Sequence, residues 1–168
     1  MMDAEIHRDS PKGDVSIENG RLRVVFQRSY RKPIEKVWAA LTIPERLADW
    51  FGAAKVDLRD GGSFAFSYPN GFSTVMKITE LDPPRRLGWA WTLEGIDTLV
   101  RFDLSPTTDG CNLTLTHSNV PQTQGGVRRG WHAHLDGLAD CLEGRATPWA
   151  VKEAREKHIA PLYESRRT

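Results

Sequence analysis

The sequence predicts an α+β fold in which one long helix covers an antiparallel sheet. Its 168 residues are 39% hydrophobic and 27% charged, which is typical of one soluble globular domain. Between Val56 and His117, short stretches of period two alternate with turn residues such as Asp60-Gly61-Gly62, as in a strand meander. After Pro121 the apolar residues recur at helical spacing, and an antiparallel sheet with one apolar face needs such a cover.

The chain divides into one domain with two short flanks. Residues 1 to 14 are polar and include Pro and Gly, which predicts a flexible leader. We expect the domain to span residues 15 to 144, and residues 145 to 168 to form a tail that packs on it. Asn19-Gly20 lies between apolar positions of period two, which predicts a tight β-hairpin at the start of the domain.

Two short helices are predicted after the first long strand. Pro33 and Pro44 suit first helical turns, and apolar residues follow each proline at helical spacing. These apolar residues are Ile34, Val37, Trp38 and Leu41 in the first helix, and Leu47, Trp50 and Phe51 in the second. We expect the aromatic residues among them to pack in the core, and the alternative is that they lie at the mouth of a cavity and contact an apolar ligand. Gly52 should end the second helix.

One long helix is predicted between residues 127 and 143, with Gly144 at its C-terminal cap. Its apolar stripe consists of Val127, Trp131, Leu135, Leu138 and Leu142. Thr147-Pro148 begins a further tail helix, which we expect to stop near Pro161.

Five stretches of the chain resemble the signatures of one protein family. They are PIEKVWAALTIPERLADWF (33–51), GGSF (61–64), LDPPRRLGWAW (81–91), LTLTH (113–117) and GWHAHLDGLADCLEG (130–144). In this order they resemble the AHSA-type branch of the START-like (SRPBCC) superfamily. That branch is named for homology to the activator of heat-shock-protein-90 ATPase.

The resemblance implies a helix-grip fold. Such a fold has a curved, seven-stranded antiparallel sheet around a long C-terminal helix, with an elongated cavity between them. Members of the superfamily include lipid carriers, hormone receptors, polyketide cyclases and a co-chaperone, so the fold alone does not define the function.

The candidate cavity walls are the inward residues of the sheet and the face of the long helix opposite them. Alternate residues of a strand point to the same side of the sheet, which selects the strand candidates. The candidates are Phe66, Trp89, Trp91, Phe102, Leu115 and His117 on strands, and Trp131, His134 and Leu135 on the helix. The alternative is that these side chains only fill a core.

Three histidines lie in this region. His117 shares the period of Leu113 and so should face the interior, either as a hydrogen-bonded core residue or as an acid, base or polar anchor. It is the one candidate catalytic residue. His132 and His134 diverge by roughly 200° around a helix, so they cannot bind one metal ion together. We expect His132 to face water and His134 to lie beside the apolar stripe.

Composition argues against several classes of protein. With 23 Lys+Arg against 22 Asp+Glu there is no concentrated basic face, so no nucleic-acid partner is expected. No apolar run approaches the ~20 residues of a membrane span, and the first ten residues lack the apolar segment of a signal peptide. We therefore expect a cytoplasmic protein with Cys111 and Cys141 reduced. The chain contains no motif for a metal, a nucleotide or an activated nucleophile, so no cofactor is expected.

Three functions agree with the sequence. The first is a binding protein that holds a small apolar or amphipathic molecule between sheet and helix, and we expect no enzyme activity. The second is an enzyme of the cyclase or hydratase type that uses His117 as acid or base. The third is an interaction module of co-chaperone type that binds a chaperone. A monomer and a homodimer are both compatible with the sequence.

Overall fold

The computed structural model describes residues 12 to 163, which form eight strands and four α-helices. In chain order they are β1 (Asp14–Glu18), β2 (Arg21–Tyr30), α1 (Ile34–Thr42), α2 (Pro44–Trp50), β3 (Ala53–Asp57), β4 (Ser63–Ser67), β5 (Ser73–Asp82), β6 (Arg86–Leu93), β7 (Ile96–Pro106), β8 (Cys111–Val120), α3 (Val127–Leu142) and α4 (Trp149–Tyr163). The predicted order of elements is confirmed. Residues 1–11, most of the expected leader, lie outside the described residues, and β1 begins at Asp14.

All eight strands belong to one antiparallel sheet in the order β1-β2-β8-β7-β6-β5-β4-β3. The helix-grip prediction is confirmed, although the expected count was seven strands. One edge of the sheet is β1, which pairs only with β2 and is exposed along its whole length. The α3 helix lies against the inner face of the sheet, and the apolar core fills the space between them.

The hairpin between β1 and β2 is tightly turned, as predicted. Asn19 has φ 50° and Gly20 has φ 76°, the left-handed conformation that a two-residue hairpin turn requires at both positions. Ile17 then pairs with Leu22, and Glu18 with Arg21. The turn therefore sets the register of the edge strand.

Replacing Gly20 by Ala is expected to lower the free energy of unfolding by about 1 kcal/mol, because a Cβ atom disfavours positive φ. No atom would contact that Cβ, so the cost is conformational alone. Gly125→Ala is the matched control, since Gly125 has φ −58° and its nearest neighbour would be 4.0 Å away. Urea unfolding of both variants measures the difference, and equal stabilities would contradict the explanation.

The long helix begins at Val127 and ends at Leu142, within one residue of the predicted bounds, and Gly144 has φ 81°. The tail helix differs from its prediction, because α4 continues through Pro161 to Tyr163. It packs along α3, with Arg155 and Ile159 buried in the contact. None of the helices within residues 12–163 is long and apolar enough to cross a membrane.

Candidate functional site

The predicted cavity residues lie together between the sheet and α3. Seven of the nine are buried, while Trp91 and His134 remain partly exposed. The strand pairing explains the grouping, because Leu115 pairs with Phe102, and His117 with Val100, on neighbouring strands. On the helix side, Trp131 packs edge-on against Phe102 at a centroid distance of 5.9 Å. These nine residues therefore form one aromatic enclosure.

Phe51 is the centre of this enclosure, whereas the sequence predicted it as a core residue of the second helix, with a place at the cavity mouth as the alternative. Its ring stacks on Trp131 at 5.5 Å with an interplanar angle of 19°. The same ring lies 4.6 Å from the His134 ring and 4.7 Å from the Phe66 ring. Phe51 is the C-cap residue that follows α2, and its N–H still bonds to the Leu47 carbonyl. Helical spacing places Phe51 on the apolar face of α2 but does not predict which rings of α3 and the sheet it meets.

His117 is held by hydrogen bonds at both ring nitrogens. Trp131 Nε1–H can only donate, and it lies 3.0 Å from His117 Nδ1, which must therefore be the unprotonated nitrogen. His117 Nε2–H then donates to Thr98 Oγ1 at 2.8 Å. The Thr98 hydroxyl in turn donates to the Trp91 carbonyl oxygen at 2.6 Å. This chain of three bonds defines one tautomer of the neutral imidazole.

The surroundings of His117 disfavour its protonated form. Desolvation by burial lowers the pKa of His117 from 6.5 to about 3. Trp91 stacks on the other side of the imidazole with an interplanar angle of 9°. A second ring proton on Nδ1 would also point at the Trp131 N–H, so two donors would face each other. The arrangement suits a neutral residue that positions Trp131 and Trp91.

Two indole N–H groups in the enclosure have no hydrogen-bond acceptor among residues 12–163. They belong to Trp89 and Trp91, and both nitrogens are inaccessible to solvent. The Trp89 ring is surrounded by the rings of Phe64 at 5.1 Å and Phe102 at 5.1 Å, which offer no acceptor. A buried donor without an acceptor lowers the free energy of unfolding by about 1–3 kcal/mol. Each indole is therefore a point at which an acceptor of a bound molecule would gain a hydrogen bond.

His134 has a polar contact on the helix side of the enclosure. Its Nδ1 lies 3.3 Å from the Trp50 carbonyl oxygen, which can only accept, so Nδ1 carries the proton. Burial and the nearby Lys152 ammonium group lower the pKa of His134 well below its usual 6.5. The residue is thus a neutral imidazole whose Nε2 is an acceptor.

A second face of α3 carries buried polar residues that the sequence analysis left off the apolar stripe. His132, Asp136 and Asp140 recur every four residues, and α4 covers this side of α3. The prediction that His132 faces water is wrong, because His132 is 1% exposed. Its Nδ1 is hydrogen-bonded to the Tyr163 hydroxyl of α4. In the middle of α4, Arg155 Nη2 donates to Asp140 Oδ2 at 2.6 Å.

Strand β2 adds two polar side chains near this stripe that sequence reasoning also missed. Arg28 is 7% exposed, and burial lowers the pKa of its guanidinium, while the nearby Asp136 carboxylate opposes that shift. Burial raises the pKa of the Tyr30 phenol, which therefore stays neutral. Both residues continue the inward period of Val24 and Phe26, so the pattern could have placed them inside. Because Arg and Tyr are polar, the residue types alone favour the solvent-facing side of the strand.

Three surface pockets in the described part of the chain lie outside the enclosure. One, of about 180 Å³, is on the outer face of the sheet around Gly88 and Arg101. A second, of about 380 Å³, lies beside Leu22 and Arg128, and a third, of about 400 Å³, beside Pro33. On the outer face, Arg101 Nε–H donates to Asp103 Oδ2 at 2.9 Å. Within residues 12–163, no group of three or more His, Cys, Asp or Glu side chains could hold a metal ion.

The fold and the enclosure are those of a helix-grip protein of the SRPBCC class. Residues 31–143 match the family model described as activator of Hsp90 ATPase homolog 1-like protein, and the chain belongs to this family. The earlier resemblance to the AHSA-type branch is therefore confirmed.

Solved structures agree with this assignment. CalU16 from Micromonospora echinospora is 30% identical, over 91% of this chain and 96% of that chain, with a TM-score of 0.66. DynU16, from the dynemicin biosynthetic locus, is 25% identical, over 74% of this chain and 48% of that chain, with a TM-score of 0.67. A conserved protein of unknown function from Enterococcus faecalis shares the fold at 20% identity, over 91% of this chain and 93% of that chain, with a TM-score of 0.70. Among curated proteins, none matches the chain significantly.

Proposed function

We propose that this protein binds a small apolar or amphipathic molecule between the sheet and α3. The observation that carries the proposal is the pair of buried indole N–H groups without an acceptor, on Trp89 and Trp91, inside an aromatic enclosure. Ligand sites of this kind combine mostly apolar walls with a few polar groups that orient the ligand. DynU16 supports a link to small-molecule metabolism, since it comes from a biosynthetic locus.

The other polar groups of the enclosure support binding more than catalysis. A cyclase or hydratase would need His117 to gain and lose a proton during the reaction. Trp131 already occupies the Nδ1 lone pair, and burial keeps the imidazole neutral. His117 is better suited to orient the indole of Trp131, which forms one wall of the site. Its proposed role is therefore positioning.

The proposed setting is the cytoplasm. Cys111 and Cys141 are both buried free thiols in this fold, which suits a reducing compartment. The co-chaperone alternative has support only from the description of the family, because no surface described above has features specific to a chaperone.

The proposal is tested with 1-anilinonaphthalene-8-sulfonate, an amphipathic fluorescent probe that carries acceptor oxygens. We expect saturable binding of one probe per protein and transfer of excitation from tryptophan to the probe. Trp89→Phe keeps an aromatic ring and removes the N–H donor, so the dissociation constant should rise by about 2- to 12-fold, the equivalent of one net hydrogen bond.

Trp38→Phe is the matched control, because Trp38 is a half-buried residue of α1. It should leave the dissociation constant within about twofold of the unaltered value. Mass spectrometry of denatured protein, purified without refolding, tests for a molecule retained from the cell. The proposal fails if the probe does not bind saturably and no molecule is released.

A further inference from the structure

Four aromatic rings form a stack along one edge of the enclosure. Phe64, Phe66, Tyr68 and Phe72 follow one another with interplanar angles of 23°, 24° and 24°. The successive centroid distances are 6.0, 6.3 and 5.8 Å. The first two are alternate residues of β4, and Tyr68 continues their period, so all three rings face the same side. The β4–β5 turn brings Phe72 over Tyr68, where Tyr68 N–H donates to the Phe72 carbonyl at 2.9 Å.

The stack runs from solvent to the innermost tryptophan. Phe72 is 50% exposed, Tyr68 is half-buried, and Phe66 and Phe64 are 1% and 0% exposed. At the inner end, the Phe66 and Phe64 rings lie 5.6 and 5.1 Å from the Trp89 ring. The N–H of Trp89 is one of the two buried indole donors without an acceptor in the described residues. The outer end of the stack is therefore connected to the proposed ligand anchor by a continuous aromatic surface.

Tyr68 fills the space between the end of α2 and the start of α4. Its ring lies 6.1 Å from the Phe51 ring at the end of α2 and 5.6 Å from the Trp149 ring at the start of α4. Gly52 leaves room for it, because a Cβ atom there would be 2.8 Å from Tyr68 Cε1. Aromatic contacts of this kind are individually weak, so a rotating side chain can exchange them for new contacts.

We propose that Tyr68 is the gate of the ligand site. Rotation of its ring out of the stack opens the outer end of a path between Phe51 and Trp149, along which a flat apolar molecule reaches Trp89 past the ring of Phe66. This inference rests on the proposed function, because it identifies the access route to that same site. Tyr68 controls the rate of access, whereas Trp89 contributes to affinity.

Hydrogen exchange of the indole protons tests the gate without any ligand. In the ligand-free protein, Tyr68→Ala should raise the exchange rate of the Trp89 indole N–H by about tenfold, since local opening then needs no ring rotation. The indole N–H of Trp50 is bonded to the Ala40 carbonyl at 2.8 Å, and that of Trp131 to His117. Because both protons are already hydrogen-bonded, their exchange rates should change by less than about twofold.

Two further variants test whether the position of the Tyr68 ring controls the exchange rate of the Trp89 indole N–H. Tyr68→Phe keeps the ring and should leave all three indole exchange rates as they are. Gly52→Ala keeps Tyr68 but pushes its ring from its position, so it should raise the Trp89 rate selectively if Tyr68→Ala fails to fold. The gate is overturned if the Trp89 rate stays unchanged in the folded variants or rises only in parallel with the other two rates.

Binding kinetics separate the gate from the proposed function. With 1-anilinonaphthalene-8-sulfonate, Tyr68→Ala should accelerate association and dissociation alike, so the dissociation constant changes by less than about threefold. Trp89→Phe should instead raise the dissociation constant. Absence of probe binding would count against the proposed function, while the exchange rates alone would still decide whether Tyr68 is a gate.

Discussion

Replacing Arg155 by Met is expected to lower the free energy of unfolding by about 3–5 kcal/mol, the usual cost of removing one side of a buried ion pair. The Arg155 guanidinium donates to Asp140 Oδ2 at 2.6 Å, and both side chains are 5% exposed. Without Arg155, the Asp140 carboxylate stays in a site with little access to water. Urea unfolding at neutral pH measures the loss.

Two comparisons identify the cause. The double variant Asp140→Leu with Arg155→Met removes both charges and should recover part of the loss, because apolar side chains of similar volume can replace a buried ion pair. Arg145→Met removes a second partner of Asp140 whose side chain is 59% exposed, and it should cost less than about 1 kcal/mol. Equal losses in the Arg145 and Arg155 variants would contradict the explanation.

The ion pair explains how α4 is attached. Asp140 of α3 and Arg155 of α4 are buried at one end of the contact, and His132 meets the Tyr163 hydroxyl at the other end. Between them Ile159 is fully buried. The tail is therefore fastened to the domain by polar contacts at both ends and an apolar contact between, and it contributes Trp149 to the surroundings of Tyr68.

Elements with strong local signals could be predicted from the sequence. The positive φ angles of Asn19-Gly20 follow from the turn chemistry, and the apolar stripe of α3 follows from helical spacing. The polar stripe of α3 could not be predicted, because His132 and Asp136 have the spacing of a solvated face. Their burial depends on α4, whose own sequence has no clear apolar face, so only the tertiary contact identifies it.

The candidate site was predictable in its strands and less so in its details. Phe66, Trp89 and Phe102 follow a period of two, which is enough to place them on one face of the sheet. The role of Phe51 depends on the angle at which α2 ends, and the hydrogen bond between Trp131 and His117 depends on the depth of α3 above β8. Such distances between elements are set by packing and leave no local pattern.

The pH dependence of stability is expected to show that His117 stays neutral in the folded protein. Burial lowers the pKa of His117 from 6.5 to about 3, whereas the unfolded chain takes up a proton near 6.5. His117 therefore leaves the unfolding free energy unreduced above pH 6.5. As the pH falls from 6.5 towards 3, the unfolding free energy decreases, because the unfolded chain takes up a proton that folded His117 does not. Between pH 7.5 and pH 5 this one residue should cost about 2 kcal/mol of unfolding free energy.

The measurement is the slope of unfolding free energy against pH, from urea titrations between pH 7.5 and pH 5. His117→Gln cannot take up the proton, so its slope should be smaller than that of the unaltered protein, whatever the substitution itself costs. His158→Gln is the matched control, because His158 is exposed on α4. If His117→Gln leaves the slope unchanged, His117 must protonate in the folded state near pH 6.5. The acid–base enzyme alternative would then be favoured over a positioning role, because proton uptake at a buried histidine requires access to solvent or substrate.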